Sequence, residues 1–233
     1  PYTTLFRSPG GMILSGVYSE SLFVACSLAS FYFAQQRRWW LMGITGGLAS
    51  LTRSIGVAMV LPLAIEMFQT RITNPVRFRD RWALLLIPGG LLVTMINSTL
   101  LIGQPLAFMT AQSTPPWNRV FGGLFTVTER ILSTDPGITM VWAGMAILSL
   151  IAMTTLIKKI RLAWTVAGLL LIIVPLSTGL LSMTRMITIV WPMALAPVLL
   201  LKRQSWLVGV ALLLAVVQAY LMVGWTRAHL LMM

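Results

Sequence analysis

The sequence predicts an all-α fold: a polytopic transmembrane bundle of about eight membrane segments, two of them short helices. Three observations support this fold class. Apolar residues make up 58% of the 233 residues and charged residues only 9%. The mean hydropathy is +0.88. The apolar residues also form continuous runs near the length of about 20 residues that a membrane-spanning helix needs, a combination that soluble domains of this size do not have.

The predicted segments follow one another between short polar or basic stretches. Each is a continuous apolar run, and most end at clustered Lys or Arg residues. The single-span segments are 12–34, 82–103, 138–157, 162–181, 186–201 and 206–224. A polar, proline-rich stretch follows at 104–123, and 124–132 is a semi-polar helix candidate. No soluble domain is predicted, so 9–233 is interpreted as a single transmembrane domain.

The first eight residues, PYTTLFRS, are treated separately. They match the translation of a common sequencing-library adapter, and we interpret 1–8 as such a segment rather than as protein. On this interpretation the natural coding sequence begins further upstream.

The apolar run 39–68 is too long for one span and contains two charged residues, Arg53 and Glu66. Basic clusters flank it on both sides, and both are expected on the cytoplasmic side. One helix cannot begin and end on the same side. The run is therefore predicted to be two short helices, 39–51 and 54–68, that meet near Arg53. A glycine pair within the run and Gly56 favour close packing and a break there.

The net charge of +12 comes from basic residues that lie mainly in the short stretches between the apolar runs. The 17 Lys and Arg residues outnumber the 5 Asp and Glu residues and cluster between apolar runs, as the positive-inside rule describes. No nucleic-acid partner is expected. The single cysteine and single histidine cannot build a metal site of their own, so we expect neither a metal nor a cofactor.

The basic loops also predict which residues share the non-cytoplasmic face. Eleven basic residues fall inside and five outside, apart from Arg7 in the suspected adapter segment. A cation at membrane depth is costly and usually faces a partner, a cavity or an anionic ligand. The topology gathers at the outer face Tyr18, Glu20, Arg53, Trp117, Arg119 and Arg185.

Arginines at this depth suit the phosphate of a polyprenyl-phosphate sugar, because the planar guanidinium donates two parallel hydrogen bonds. Trp117 offers a ring face to a sugar, and Glu20 would orient Arg53 or act as a base. Structural alternatives stay open: Arg53 and Glu20 form only an ion pair, Trp117 belongs to the interfacial aromatic belt, and Arg185 extends to the interface.

Four stretches resemble the PIG-V-type mannosyltransferases. They are GVYSESLF at 16–23, LASLTRSIGV at 48–57, AQSTPPWNR at 111–119 and SMTRMITIVWPMALA at 182–196. The family includes the enzyme that adds the second mannose to glycosylphosphatidylinositol, together with prokaryotic relatives.

The resemblance implies a GT-C fold and a polyprenyl- or dolichyl-phosphate mannose donor. It also implies a lipid-linked or cell-surface glycan acceptor, used on the non-cytoplasmic side. The donor- and acceptor-binding positions it indicates are Tyr18, Glu20, Arg53, Ser54, Trp117, Arg119 and Arg185. The family's catalytic aspartate lies upstream of the residues matched here, so the catalytic residue itself is not identified. Ile55 and Met186 depart from the family's usual Asn and Tyr, which favours a prokaryotic plasma-membrane relative.

Two other functions compete with a glycosyltransferase. A transporter or lipid-handling protein with a site at the membrane midplane would show matching broken helices in its two halves. The sequence predicts only one broken segment. The other competing function is that of a non-catalytic subunit of a membrane complex.

Overall fold

The computed structural model describes residues 19–73, 75–114, 136–178, 183–201 and 203–226. Every regular element in these residues is helical, which confirms the all-α class. The α-helices are α1 (Ser19–Gln35), α2 (Trp39–Thr52), α3 (Val60–Thr73), α4 (Phe78–Arg81), α5 (Leu86–Ile102), α6 (Ala107–Ser113), α7 (Pro136–Leu156), α8 (Leu162–Thr178), α9 (Met183–Thr188), α10 (Ala196–Leu200) and α11 (Gln204–Thr226). Three 3-10 helices, Ser54–Met59, Trp82–Leu85 and Trp191–Leu195, connect some of them.

The described residues form two compact units. The first unit contains α1 to α6 and Leu162–Ala167, and the second contains α7, the remainder of α8 and α9 to α11. Each is described by itself. The single transmembrane domain at 9–233 stays a prediction.

The first unit begins with a hairpin of α1 and α2. The turn between them passes through Arg37, whose φ of 58° lies in the left-handed region. The two helices pack along their length. The hydroxyl oxygens of Ser30 and Thr45 lie 3.1 Å apart and form a hydrogen bond across the interface. The antiparallel arrangement brings the beginning of α1 to the end of α2.

The predicted break of the run 39–68 is confirmed. Helix α2 ends at Thr52, Arg53 is extended (φ −149°, ψ 132°), and a 3-10 helix begins at Ser54. A Cβ added to Gly56 would lie 2.6 Å from the Cα of Ser50, so the chain folds back tightly against the end of α2. After this turn α3 packs against α1.

Helices α2 and α5 are parallel, and their backbones are in contact at glycine residues. A Cβ on Gly43 would overlap the carbonyl oxygen of Ala83. One turn further along both helices, a Cβ on Gly47 would lie 2.6 Å from the carbonyl oxygen of Leu86. In the opposite direction, a Cβ on Gly90 would overlap the carbonyl oxygen of Gly47. Since the contacts advance together, the helices share a direction. Their N-terminal ends, which follow the two arginine clusters, lie at the same end of the unit. This agrees with the prediction that both clusters share one side.

One helix among the described residues is long and apolar enough to cross a membrane by length and composition. It is the continuous helical stretch Phe78–Ile102 of 25 residues, which contains an 18-residue window with a mean hydropathy of 1.9. The sequence predicted this segment at 82–103. Shorter apolar helical stretches are Ser54–Thr70, Trp142–Leu156, Leu162–Thr178, Trp191–Leu200 and Gln204–Ala219.

A substitution at Gly103, at the end of α5, tests the energetic cost of the left-handed backbone conformation, because the new side chain would contact no other residue. Gly103 caps the helix at φ +76°, and a Cβ there would meet nothing within 4 Å. We expect Gly103→Ala to lower the free energy of unfolding by about 1 kcal/mol, because only the left-handed conformation is penalised. Gly89 lies inside α5, also in open space. Gly89→Ala should instead raise stability by about 0.5–1 kcal/mol. Reversible unfolding in mixed micelles measures both, and effects of the same sign would contradict the assignment.

In the second unit, segment 186–201 departs from the single predicted helix. Helix α9 ends at Thr188, Val190 leaves the helical region (ψ 66°), and the chain continues as the 3-10 helix Trp191–Leu195 and then α10. Pro192 and Pro197 each stand near the start of one of these helices. Proline lacks the N–H that a continuous helix would use, and the break at Val190 falls just before Pro192, whereas the backbone stays helical at Leu195 and Ala196 before Pro197.

A hydrogen bond also joins a basic loop of the second unit to helix α10. The ammonium group of Lys159 donates to the carbonyl oxygen of Leu199 at 3.2 Å. Lys159 belongs to the cluster 158–161, and Leu199 lies three residues before the cluster 202–203. Both clusters were predicted to lie inside, and this bond brings the first to the end of the segment that precedes the second. The predicted helix at 124–132 and the first part of segment 12–34 lie outside the described residues.

Candidate functional site

The candidate site is built where α2 stops. Arg53 occupies the single extended position between α2 and the following 3-10 helix. Its main-chain groups are both used locally: its N–H donates to the carbonyl oxygen of Ala49 at 3.1 Å, and its carbonyl oxygen accepts from the N–H of Gly56 at 2.8 Å. The break therefore leaves no unpaired main-chain group at Arg53.

The Arg53 side chain meets Glu20, the second residue of α1. The Nη1 atom of Arg53 lies 2.6 Å from Oε1 of Glu20. The Glu20 side chain is 0% exposed and the Arg53 side chain 14% exposed. A fully buried carboxylate is stable as an ion only beside a cation, because burial removes its hydration. Each residue thus makes the burial of the other tolerable, and the antiparallel α1–α2 hairpin is what brings them together.

Two further polar side chains lie buried in the first unit. Ser50 is one helical turn before Arg53 and only 1% exposed, and its hydroxyl has no hydrogen-bond partner among the described residues. Glu66 is likewise buried, in α3, the helix that packs on α1. Glu66 is visible in the sequence as a charge in an apolar run, but the sequence pattern assigns it no role. Ser50 was missed, because its burial follows from the tight turn at Gly56 and not from its spacing to Arg53.

The predicted site residues are only partly placed by the structure. It brings together Glu20 and Arg53, with Ser54 next in the chain and exposed. Arg185 lies in α9, in the second unit, and is half-buried. Tyr18, Trp117 and Arg119 lie outside the described residues.

The chemistry this arrangement offers is anion binding. The guanidinium has five N–H donors in a rigid fork, and Arg53 reaches the surface of the unit while Glu20 does not. An acceptor such as a phosphate oxygen would meet a cation already fixed in direction by a buried carboxylate. Among the described residues, no group of three or more His, Cys, Asp or Glu side chains is placed to hold a metal ion.

A scan against protein-family models, a search of curated proteins and a search of solved structures each found no match.

Proposed function

We propose that the protein is a GT-C-type membrane glycosyltransferase. It transfers mannose, or another hexose, from a polyprenyl-phosphate sugar to a lipid-linked or cell-surface acceptor on the non-cytoplasmic face. The observation on which this rests most is the buried Glu20 that holds a partly exposed Arg53 at a break in an apolar run. The resemblance of 16–23 and 48–57 to PIG-V-type enzymes falls on the same two residues. We further propose a multi-pass protein of a prokaryotic plasma membrane.

The end of the unit at which Arg53 lies supports the proposed side. Both arginine clusters of the first unit precede N-terminal helix ends, whereas Arg53 follows the C-terminal end of α2. If the arginine clusters face the cytoplasm, Arg53 faces the opposite side. A polyprenyl-phosphate donor holds its phosphate at that level and its chain in the lipid. Arg53 would bind the donor phosphate, and Glu20 would orient the guanidinium.

The remaining roles in the proposed enzyme follow from the resemblance. Ser54 and Tyr18 flank the pair in the chain and belong to the proposed binding surface. Arg119 and Arg185 are proposed as further donor contacts and Trp117 as the sugar or acceptor platform. An aspartate upstream of the matched residues would deprotonate the acceptor hydroxyl.

Replacement of Arg53 by Lys tests the proposal. Lysine keeps the charge but loses the two-pronged donor geometry. In membranes that contain the complete gene product, we expect Arg53→Lys to lower the rate of sugar transfer about 30- to 150-fold, which corresponds to about 2–3 kcal/mol of transition-state stabilisation. The yield of folded protein should change little, because the cation beside Glu20 is retained.

A control and a yield measurement complete this experiment. Arg203 is an exposed arginine of the second unit, and Arg203→Lys should leave transfer unchanged. Transfer and folded yield are measured in the same membrane preparation. A loss of yield with normal activity per folded molecule would show that Arg53 is only structural and would refute the donor-site proposal.

A transporter or lipid-handling protein is the second candidate, and one observation favours it. Each unit contains an interrupted apolar segment, at Arg53 in the first and at Thr188–Trp191 in the second. Paired interruptions are typical of transporters that bind substrate at the midplane. Proteoliposomes loaded with a labelled polyprenyl phosphate separate the two functions: movement of the label across the bilayer without sugar transfer would favour this candidate.

A further inference from the structure

The end of the first unit remote from Arg53 is a strongly basic surface. Two arginines of the α1–α2 turn, Arg37 and Arg38, are exposed, and helix α4 with its preceding residue adds Arg77, Arg79 and Arg81. Helix α4 contacts α2, and the parallel α2–α5 contact sets both groups at the same end. Within the described residues none of these five arginines forms an ion pair, and Asp80 is the one acidic residue in the two clusters. We call these five residues the arginine rim.

Exposed aromatic rings accompany the arginine rim. Phe78 is 69% exposed and Trp82 53% exposed, yet the two rings hold an edge-to-face arrangement with centroids 6.1 Å apart and planes at 86°. The guanidinium of Arg81 lies over the Phe78 ring, 5.7 Å from its centroid. Tyr32 near the end of α1 and Trp40 at the start of α2 are exposed at the same end. Aromatic rings at the ends of membrane helices mark the depth of the lipid headgroups.

We propose that the arginine rim, with Phe78 and Trp82, is a binding site for an anionic phospholipid headgroup. The guanidinium groups match the phosphate in charge and geometry. An apolar surface that could contact acyl chains follows the arginines along the chain. Leu85 and Leu86, within the membrane-length helix Phe78–Ile102, are exposed there. A ligand that fits both must present a phosphate beside acyl chains, which a phospholipid does and a nucleic acid or an acidic peptide does not.

This site does not depend on the proposed glycosyltransferase function. Helix α2 has 14 residues, so its two ends are about 21 Å apart at 1.5 Å per residue. Arg53 lies at one end and the arginine rim at the other. Loss of lipid binding and loss of sugar transfer can therefore be measured separately.

The test compares two triple variants of the full chain in nanodiscs made of phosphatidylcholine. The association of spin-labelled phosphatidylglycerol, relative to spin-labelled phosphatidylcholine, is measured by electron paramagnetic resonance. We expect the wild type to prefer phosphatidylglycerol, and the preference to fall at 0.5 M salt because charge–charge attraction is screened. The variant Arg77→Gln/Arg79→Gln/Arg81→Gln should reduce the preference about 10- to 100-fold.

The control removes an equal number of positive charges elsewhere. Lys158, Lys159 and Arg161 form an exposed basic cluster in the second unit that contains no aromatic residue. Lys158→Gln/Lys159→Gln/Arg161→Gln should keep the wild-type preference within about twofold. Equal losses in both triples would show that net charge alone attracts the lipid, and no loss in the first triple would also overturn the proposal.

A second variant addresses the aromatic part without changing any charge. Phe78→Ala/Trp82→Ala keeps all five arginines but removes the ring that the Arg81 guanidinium covers. We expect it to lower the phosphatidylglycerol preference about threefold to tenfold, in line with a cation–π contact plus interfacial anchoring. An unchanged preference would show that Phe78 and Trp82 do not contribute to lipid binding. Only a charge effect would then remain, which would overturn the proposed site. Size-exclusion profiles confirm that each variant is folded.

Discussion

Replacing Glu20 by Ala is expected to lower the free energy of unfolding by about 3–5 kcal/mol. The change removes the carboxylate that pairs with a largely buried guanidinium, and breaking a buried ion pair from one side is strongly destabilising. The lower end of this range is favoured because the Arg53 side chain keeps 14% exposure and can draw some hydration. Reversible unfolding in mixed micelles of detergent and sodium dodecyl sulfate measures the loss, and folded yield from membranes provides a second readout.

A double variant separates the buried charge from simple loss of packing. Glu20→Leu combined with Arg53→Met removes both charges and fills similar volume, so it should recover at least about half of the stability lost in Glu20→Ala. If the double variant is as unstable as the single one, the ion pair is not the source of the effect. The same double variant should abolish sugar transfer, since the proposed phosphate contact is absent.

The second large effect is expected at the α2–α5 contact. Gly90→Leu should cost at least about 3 kcal/mol, because the new side chain would have to displace the main chain of Gly47 and Leu51 rather than a flexible side chain. Membrane helices approach closely through small residues, and no other packing replaces a lost backbone contact. We expect cysteine crosslinks between α2 and α5 to disappear along with the stability.

The neighbouring glycine is a matched control for this substitution. Gly89 lies in the same helix, and a Cβ there would meet nothing within 4 Å. Gly89→Leu introduces the same side chain one position away and should change stability by less than about 1 kcal/mol. If both variants lose the same amount, the cause is the bulk of leucine in α5 and not the contact with α2.

The break at Arg53 and its pairing with Glu20 could be predicted from the sequence, because the few charged residues of an apolar chain limit where the chain can turn and which side chains can pair. Basic residues on both sides of 39–68 predicted that the run begins and ends on the same side, and the glycines indicated where the chain turns. The Glu20 carboxylate and the Arg53 guanidinium were then each expected to lie beside a partner, since an isolated charge is unfavourable in an apolar environment. Helix type and approximate helix bounds followed from composition and length.

The interruption of segment 186–201 and the parallel α2–α5 contact were not accessible in the same way. Pro192 and Pro197 were visible, but membrane helices tolerate proline when neighbours satisfy the freed carbonyl groups. Whether a proline bends or breaks a helix therefore depends on tertiary packing. Likewise, the glycines of α2 indicated a close contact but not its partner, and the burial of Ser50 depends on the turn at Gly56.

The position of Glu20 ahead of Arg53 in the chain has a consequence for biosynthesis. Helix α1 leaves the ribosome before α2, so in the proposed membrane protein the carboxylate would reach the bilayer before its cation. Inserting that charge alone costs a few kcal/mol, whereas inserting it beside Arg53 costs less. In the proposed membrane protein the two helices are thus favoured to insert together as a hairpin.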